Sequence, residues 1–191
     1  LAGAGILARH GPRAGTIMGA DIWNWNYTLE ILPILANAAI VTIEATLISF
    51  AIALVLGLVL AVLRMSGPVV GWFASAFVEL VRSTPLLIQI FFIYFVLPRF
   101  GITLDAFTAG IIALSIHYGC YCSEVYRAGL EAVPRGQWEA CTALNLNSWN
   151  TFKNIILPQA IPPIVPALGN YLVALFKDTP LLSAIAVAEL V

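Results

Sequence analysis

Charge is what this sequence has least of. Only 10% of its 191 residues are Asp, Glu, Lys or Arg, against about 25% in an ordinary soluble domain. Meanwhile 61% are hydrophobic and the mean hydropathy is +0.94. So few charges cannot cover the surface of a compact monomer in water, which excludes a cytosolic enzyme and a disordered tail. The solvent is a lipid bilayer. A basic excess is missing too: the net charge of −1 excludes a nucleic-acid partner, whose phosphate backbone needs a basic face. Cysteine is scarce, and three residues without cysteine-rich spacing give no disulfide framework.

The gaps between charges locate the membrane spans, because an ionised side chain is expensive in hydrocarbon. Residues 45–63, 83–98, 106–123 and 154–176 are charge-free. A helix needs about 20 residues to cross, so the second window is short unless its helix starts before Glu79 and Arg82, which can pair three residues apart. The reading is an all-α membrane protein with four spans, near 38–63, 78–98, 105–125 and 158–177. Residues 179–191 are too short to span. They start at Thr179-Pro180, where proline restricts the residue before it, and read either as a short helix dipping into the membrane or as the opening of a further segment.

Orientation follows from Lys and Arg. Arg64, Arg82, Arg127, Arg135 and Lys153 gather on one side, and Arg99 and Lys177 on the other. The positive-inside rule then places the N-terminus outside and the 124–157 loop in the cytoplasm. Residues 1–17, Gly/Ala-rich with Arg9, His10 and Arg13, lack the apolar run of a signal peptide. They read as an upstream extension, with natural initiation at Met18 and a transmembrane domain over 18–191. Trp23, Trp25 and Tyr27 suit an interfacial aromatic belt.

The loop at 124–157 is the longest polar stretch. Pro134 and Gly136 break the chain, and 137–144 then read as a short helix with small side chains at Ala140, Cys141 and Ala143. Leu144 is its last residue, and Asn145 is suited to a left-handed closing conformation. A second polar helix runs on to Leu157 and Pro158. A short helix held across the cytoplasmic face suits docking into a partner's groove.

Glu139-Ala140-Cys141, then Asn145, then Ile156-Leu157-Pro158 resemble the "EAA" loop of bacterial ABC-importer permeases. Further stretches are similar to the polar amino-acid permease subfamily: Val81-Arg-Ser-Thr-Pro-Leu-Leu-Ile-Gln-Ile-Phe-Phe-Ile-Tyr94, Ser123-Glu-Val-Tyr-Arg-Ala-Gly-Leu130, Pro134-Arg-Gly-Gln-Trp-Glu139 and Phe176-Lys-Asp-Thr179. Cys141 stands where the family has a second Ala, Asn145 where it has Gly, and Pro180 where the subfamily commonly has Ser.

The resemblance implies a type I ABC importer transmembrane bundle with a fifth span missing at the C-terminus, a multi-pass protein of the bacterial inner membrane. It implies a second permease subunit (a copy or a relative), two cytoplasmic ATP-binding subunits, an extracytoplasmic solute-binding protein and surrounding lipid. The coupling loop would include Gly136, Glu139, Ala140, Cys141, Leu144, Asn145, Leu157 and Pro158. The solute would be an amino acid or a related zwitterion, opines and ectoines included. No cofactor is expected in this chain. It has no Gly-x-x-x-x-Gly-Lys-Ser/Thr loop, so ATP would be bound and hydrolysed by the partner, and the permease would not be an enzyme.

Individual residues carry competing readings. Glu139 could contact the ATPase or favour its own helix's positive end. Arg82 could line the solute path or simply pair with Glu79, and Gln89, in the matching 81–94 stretch, is a further path candidate. Lys177 and Asp178 offer both signs that a zwitterion needs, against a reading in which they snorkel at the outer interface. Glu44 reads as a headgroup-level acid. His117, Cys120 and Cys122 are too few for a zinc site and read as packing residues. Pro158, Pro162, Pro163 and Pro166 read as fixing a bent span entry. Two other classes compete with the importer: a small channel or scaffold using the loop only for protein contacts, and a membrane enzyme built around His117, Cys120 and Cys122.

Overall fold

The computed structural model describes residues 25–187, apart from the side chains of 26–28. The upstream extension 1–17, initiation at Met18 and the belt residue Trp23 lie outside the described residues. Every described element is a helix. The chain divides at Ile34 into two units. Of the first, residues 25–34 form the opening turns of α1, with Trp25, Leu29, Leu32 and Ile34 exposed. The second unit holds everything that follows.

Helix α1 (Trp25–Met65) is longer than the 38–63 span, because the charge-free window marks only the part that hydrocarbon must accommodate. It is inside-out by soluble standards. Thr42, Ala45, Thr46, Ser49 and Ala53 are buried at helical spacing, while Ile40, Ile43, Leu47, Ile52, Val55 and Leu58 face outward. Without a hydrophobic drive between helices in lipid, small residues mark the seam because they let backbones approach. Thr42 and Thr46 return their hydroxyls to carbonyls four residues back, at 3.0 and 2.7 Å.

The 78–98 span is not one helix. Helix α2 (Pro68–Ser83) and α3 (Leu86–Phe91) meet at a bend of 104°. Thr84 is pushed out of the helical region to φ −103°, ψ 137° by the ring of Pro85. Beyond α3 a π-helical turn (Phe92–Val96) and a 3₁₀ turn (Leu97–Phe100) lead to left-handed Gly101. The described residues thus hold three helical stretches long and apolar enough to cross a membrane, or four if the bent pair is one span.

Helix α4 (Ala106–Glu131) begins where Asp105 accepts the Thr108 N–H at 2.9 Å. That bond holds the Asp105 carboxyl below its usual range. It outruns the 105–125 span and takes in the start of the polar loop. Helix α5 (Arg135–Ala143) follows, then α6 (Ser148–Thr151), a π-helical turn (Phe152–Ile156) and α7 (Leu157–Asp178). Only 132–134 and 144–147 of the polar stretch are non-helical. Gly136 does not break the chain but lies inside α5, in the first turn where helical N–H groups lack partners anyway. Pro162, Pro163 and Pro166 lie within continuous α7. Thr179, despite Pro180, stays helical at φ −55°, ψ −36° and opens a 3₁₀ segment (Thr179–Ile185) whose Leu182 and Ile185 are buried.

Helices α4 and α7 are antiparallel. Gly129 meets Ile164 and Ala160, Tyr118 meets Tyr171 and Asp178, and Gly110 meets Leu182 beyond the end of α7. Helix α1 crosses α4 where Gly57 abuts Cys122 and the Gly119 carbonyl: a Cβ there would stand 2.6 Å from Cys122 Cβ and 2.8 Å from that oxygen. Gly57→Val should therefore part the helices and destabilise the bundle by about 1–3 kcal/mol. The check is the thermal midpoint in detergent; an unchanged midpoint would contradict the close approach.

Candidate functional site

Four charged side chains from three helices meet at the end of the bundle that carries the loop. Glu124 of α4 accepts Arg64 Nη1 at 2.9 Å and Arg82 Nη1 at 3.0 Å on Oε1. Its Oε2 accepts Arg127 Nε at 3.2 Å and Nη2 at 3.0 Å. Arg64 comes from the last turn of α1 and Arg82 from the last turn of α2. Arg64 also donates to Ser75 Oγ at 3.2 Å and Ser123 Oγ at 3.5 Å, and Arg127 to Glu131 at 2.5 Å. The Glu79–Arg82 pair exists only at 3.9 Å, with Glu79 74% exposed. The sequence reading named the lesser partner and missed Glu124. The signal was available: three arginines at span ends on one side need a counter-charge, and Glu124 is the acid that closes the 106–123 window.

Deeper in the bundle lies a polar and aromatic cluster. Arg82 Cζ stands 5.1 Å from the centre of the Tyr121 ring, within cation–π range. Tyr121 neighbours His117 at 5.1 Å and Tyr171 at 5.4 Å between centroids. The Tyr118 hydroxyl donates to Asp178 Oδ2 at 2.6 Å, and His117 Nδ1 lies 3.3 Å from Gln89 Oε1. Three of the four path candidates, Arg82, Gln89 and Asp178, thus converge on one face of α4. Lys177 does not join them and is exposed. Tyr118 is twelve residues beyond Ala106 in a 26-residue helix, about 18 Å along its axis. The bond to Tyr118 thus ties Asp178, the last residue of α7, to the middle of α4.

Gln89 has a second task. Its Nε2 lies 2.7 Å from the Val81 carbonyl, 3.0 Å from the Thr84 carbonyl and 2.8 Å from Thr84 Oγ1, bridging the end of α2, where the Val81 carbonyl also accepts the Thr84 N–H at 3.3 Å and hydroxyl at 3.0 Å. Cys120 and Cys122 are packing residues as read: Cys120 lies with Leu60, Val78 and Val81, and Cys122 beneath Gly57. Among the described residues no group of three His, Cys, Asp or Glu could hold a metal. His117 belongs to the aromatic cluster, a placement that sequence alone did not suggest.

In the loop, α5 is exposed along its length except at Cys141. Cys141 therefore faces the protein, while Gly136, Glu139, Ala140, Leu144 and Asn145 face outward. Leu157 is half-buried and Pro158 exposed. Glu139 is the fifth residue of α5, past its first turn, and makes no cap, so the capping reading is not the one realised. Asn145 is left-handed at φ 53°. Its N–H reaches Thr142 O at 3.0 Å and the Leu146 N–H reaches Cys141 O at 3.1 Å, the paired bonds of a Schellman closure. Asn147 then caps α6 through the Asn150 N–H at 2.8 Å. Trp138, Leu144, Leu146 and Trp149 are all exposed around this turn.

Two substitutions test these local roles. Gln89→Met keeps the shape but cannot donate, and should cost about 1–3 kcal/mol through the hydrogen bonds lost at the end of α2, chiefly at the Thr84 carbonyl, read as a lower thermal midpoint. Asn145→Gly should leave stability unchanged, while Asn145→Val should cost about 1–2 kcal/mol for its left-handed backbone, read as faster proteolysis at 144–147.

Comparison with known proteins adds a family to this geometry. Residues 53–191 match the family described as binding-protein-dependent transport system inner membrane component. A probable amino-acid ABC transporter permease protein, y4tG of Sinorhizobium fredii, is 48% identical over 86% of this chain and 71% of its own length. The L-cystine transport system permease protein TcyB of Bacillus subtilis is 42% identical over 83% of this chain and 68% of its own. A crystal structure of an amino acid ABC transporter with histidines superposes with a TM-score of 0.83 at 36% identity, over 88% of this chain and 79% of that one. The MetNI methionine ABC transporter shares the fold, with a TM-score of 0.70 at 22% identity over 84% of this chain and 78% of that one. The chain belongs to the inner membrane components of binding-protein-dependent transport systems and is a multi-pass ABC permease.

Proposed function

We propose that this permease carries amino acids or related small zwitterions inward, as one of two permease subunits served by a solute-binding protein outside and two ATP-binding subunits inside. The relatives' names support the solute class. The orientation, with the N-terminus outside and the loop cytoplasmic, is supported by the convergence of Arg64, Arg82 and Arg127 on one carboxylate, which puts three of the five basic residues of the proposed cytoplasmic side at one end of the bundle.

The observation that carries the coupling role is the construction of α5. Cys141 anchors it inward, a Schellman turn ends it, and Glu139 stands exposed with Trp138, Leu144 and Trp149 also exposed around it. This is a short rigid knob with an acid and apolar anchors, suited to an ATPase groove. ATP chemistry belongs to that partner; this chain contributes the path and the lever. Arg82, Gln89 and Asp178 line the path in this reading, a cation, an amide and an anion on one face of α4. Charged groups at membrane depth usually face a cavity or a substrate. Lys177, exposed and away from the cluster, is the weakest of the four candidates.

Glu139→Ala should leave the complex assembled and its unstimulated ATPase intact, while lowering solute-stimulated ATPase about tenfold, within the range of coupled sites. The measurement is ATP turnover of the reconstituted complex with and without solute and binding protein. Full stimulation in the variant would remove the loop from the coupling role.

A further inference from the structure

The four-charge cluster has a capacity limit that singles out one of its members. A carboxylate offers about four acceptor sites, and Glu124 has four filled: one by Arg64, one by Arg82 and two by Arg127. The three arginines are not equally dependent on it. Arg64 keeps Ser75 and Ser123, and Arg127 keeps Glu131. Among the described residues, Arg82 has beyond Glu124 and the Tyr121 ring only Glu79, 3.9 Å away and exposed, and its buried Nε has no hydrogen-bond partner there. We propose that Glu124 is a positioning residue for Arg82, holding its guanidinium over the Tyr121 ring and so in reach of the His117, Tyr171 and Asp178 cluster. Without the Glu124 charge, Arg64 and Arg127 stay where they are, and Arg82 swings toward Glu79 and leaves the ring. This inference rests on the assignment of Arg82 to the solute path, and adds that its place there is set by a residue outside the path.

Two measurements test it, one of them independent of transport. In the purified permease without solute, ¹⁵N–¹H spectra should show the Arg82 guanidinium resonance displaced by the ring current of Tyr121. That displacement should vanish in Glu124→Gln and in Tyr121→Leu, and persist in Glu124→Asp. In the reconstituted complex, with L-glutamine, L-arginine and L-cystine as the probes, Glu124→Gln should raise the half-saturating concentration for ATPase stimulation about tenfold. The maximal rate should stay within about twofold, and Glu124→Asp should recover most of the loss. Tyr121→Leu should give the same rise with the four charges intact, and it carries the test if Glu124→Gln does not purify. An Arg82 resonance unmoved by Glu124→Gln overturns the proposal, as does a loss confined to the maximal rate. A wild-type complex stimulated by none of the three amino acids overturns the solute class proposed above, while the spectra still decide whether Glu124 positions Arg82.

Discussion

At membrane depth no water is at hand to satisfy a backbone carbonyl, so an interrupted helix survives only where the protein supplies the missing donor. The break at Thr84-Pro85 is the point where this requirement is most acute. The side-chain amide of Gln89, one turn into the next helix, joins the Thr84 N–H and hydroxyl in meeting the Val81 oxygen, and meets the Thr84 oxygen as well. Because that amide nitrogen is fixed, its oxygen is fixed too, facing His117. Because α2 stops there, Arg82 lies in its last turn, beside α4. The sharp bend, the Gln89 contact to His117 and the place of Arg82 beside α4 all meet at one proline and the glutamine that compensates for it.

Much of this could be read in the residues, and the failures have a common cause. Charge-free windows found the spans, since the cost of an ion in hydrocarbon is a one-dimensional signal. They could not find the helix ends, because α1 and α4 continue as helices through polar residues once outside the hydrocarbon. Asn145 was legible, as its left-handed backbone is a local property. The bend at Thr84 follows from the residue-before-proline rule, a signal that the search for a long enough apolar window does not use. The same rule, applied at Thr179, failed in the other direction: tertiary packing of Leu182 and Ile185 holds that segment helical.

The candidate site was half legible. Arg82, Gln89 and Asp178 drew notice as polar groups in apolar surroundings. What joins them, the 117, 118 and 121 face of α4 with Tyr171 from α7, is a product of antiparallel packing between residues some fifty positions apart. Lys177 and Asp178 read in sequence as one pair, sharing both the path reading and the interfacial one. Only the register of α7 against α4 separates the two, turning one toward Tyr118 and leaving the other outside.

That register makes α4 and α7 the two arms of a hairpin with the α5–α6 segment at its closed end. Ile156, Ala160 and Ile164 lock with Val133 near that end, and Leu182 fills the groove at Gly110 at the other. From Pro158 to Asp178 is twenty residues, about 30 Å of helix. Treated as a strut pivoting at its loop end, a tilt of about 10° would carry the Asp178 carboxylate roughly 5 Å over that length. This exceeds the reach of its bond to Tyr118. A small rotation of α7 against α4 at the loop end is thereby magnified into a make-or-break event at the Tyr118–Asp178 bond.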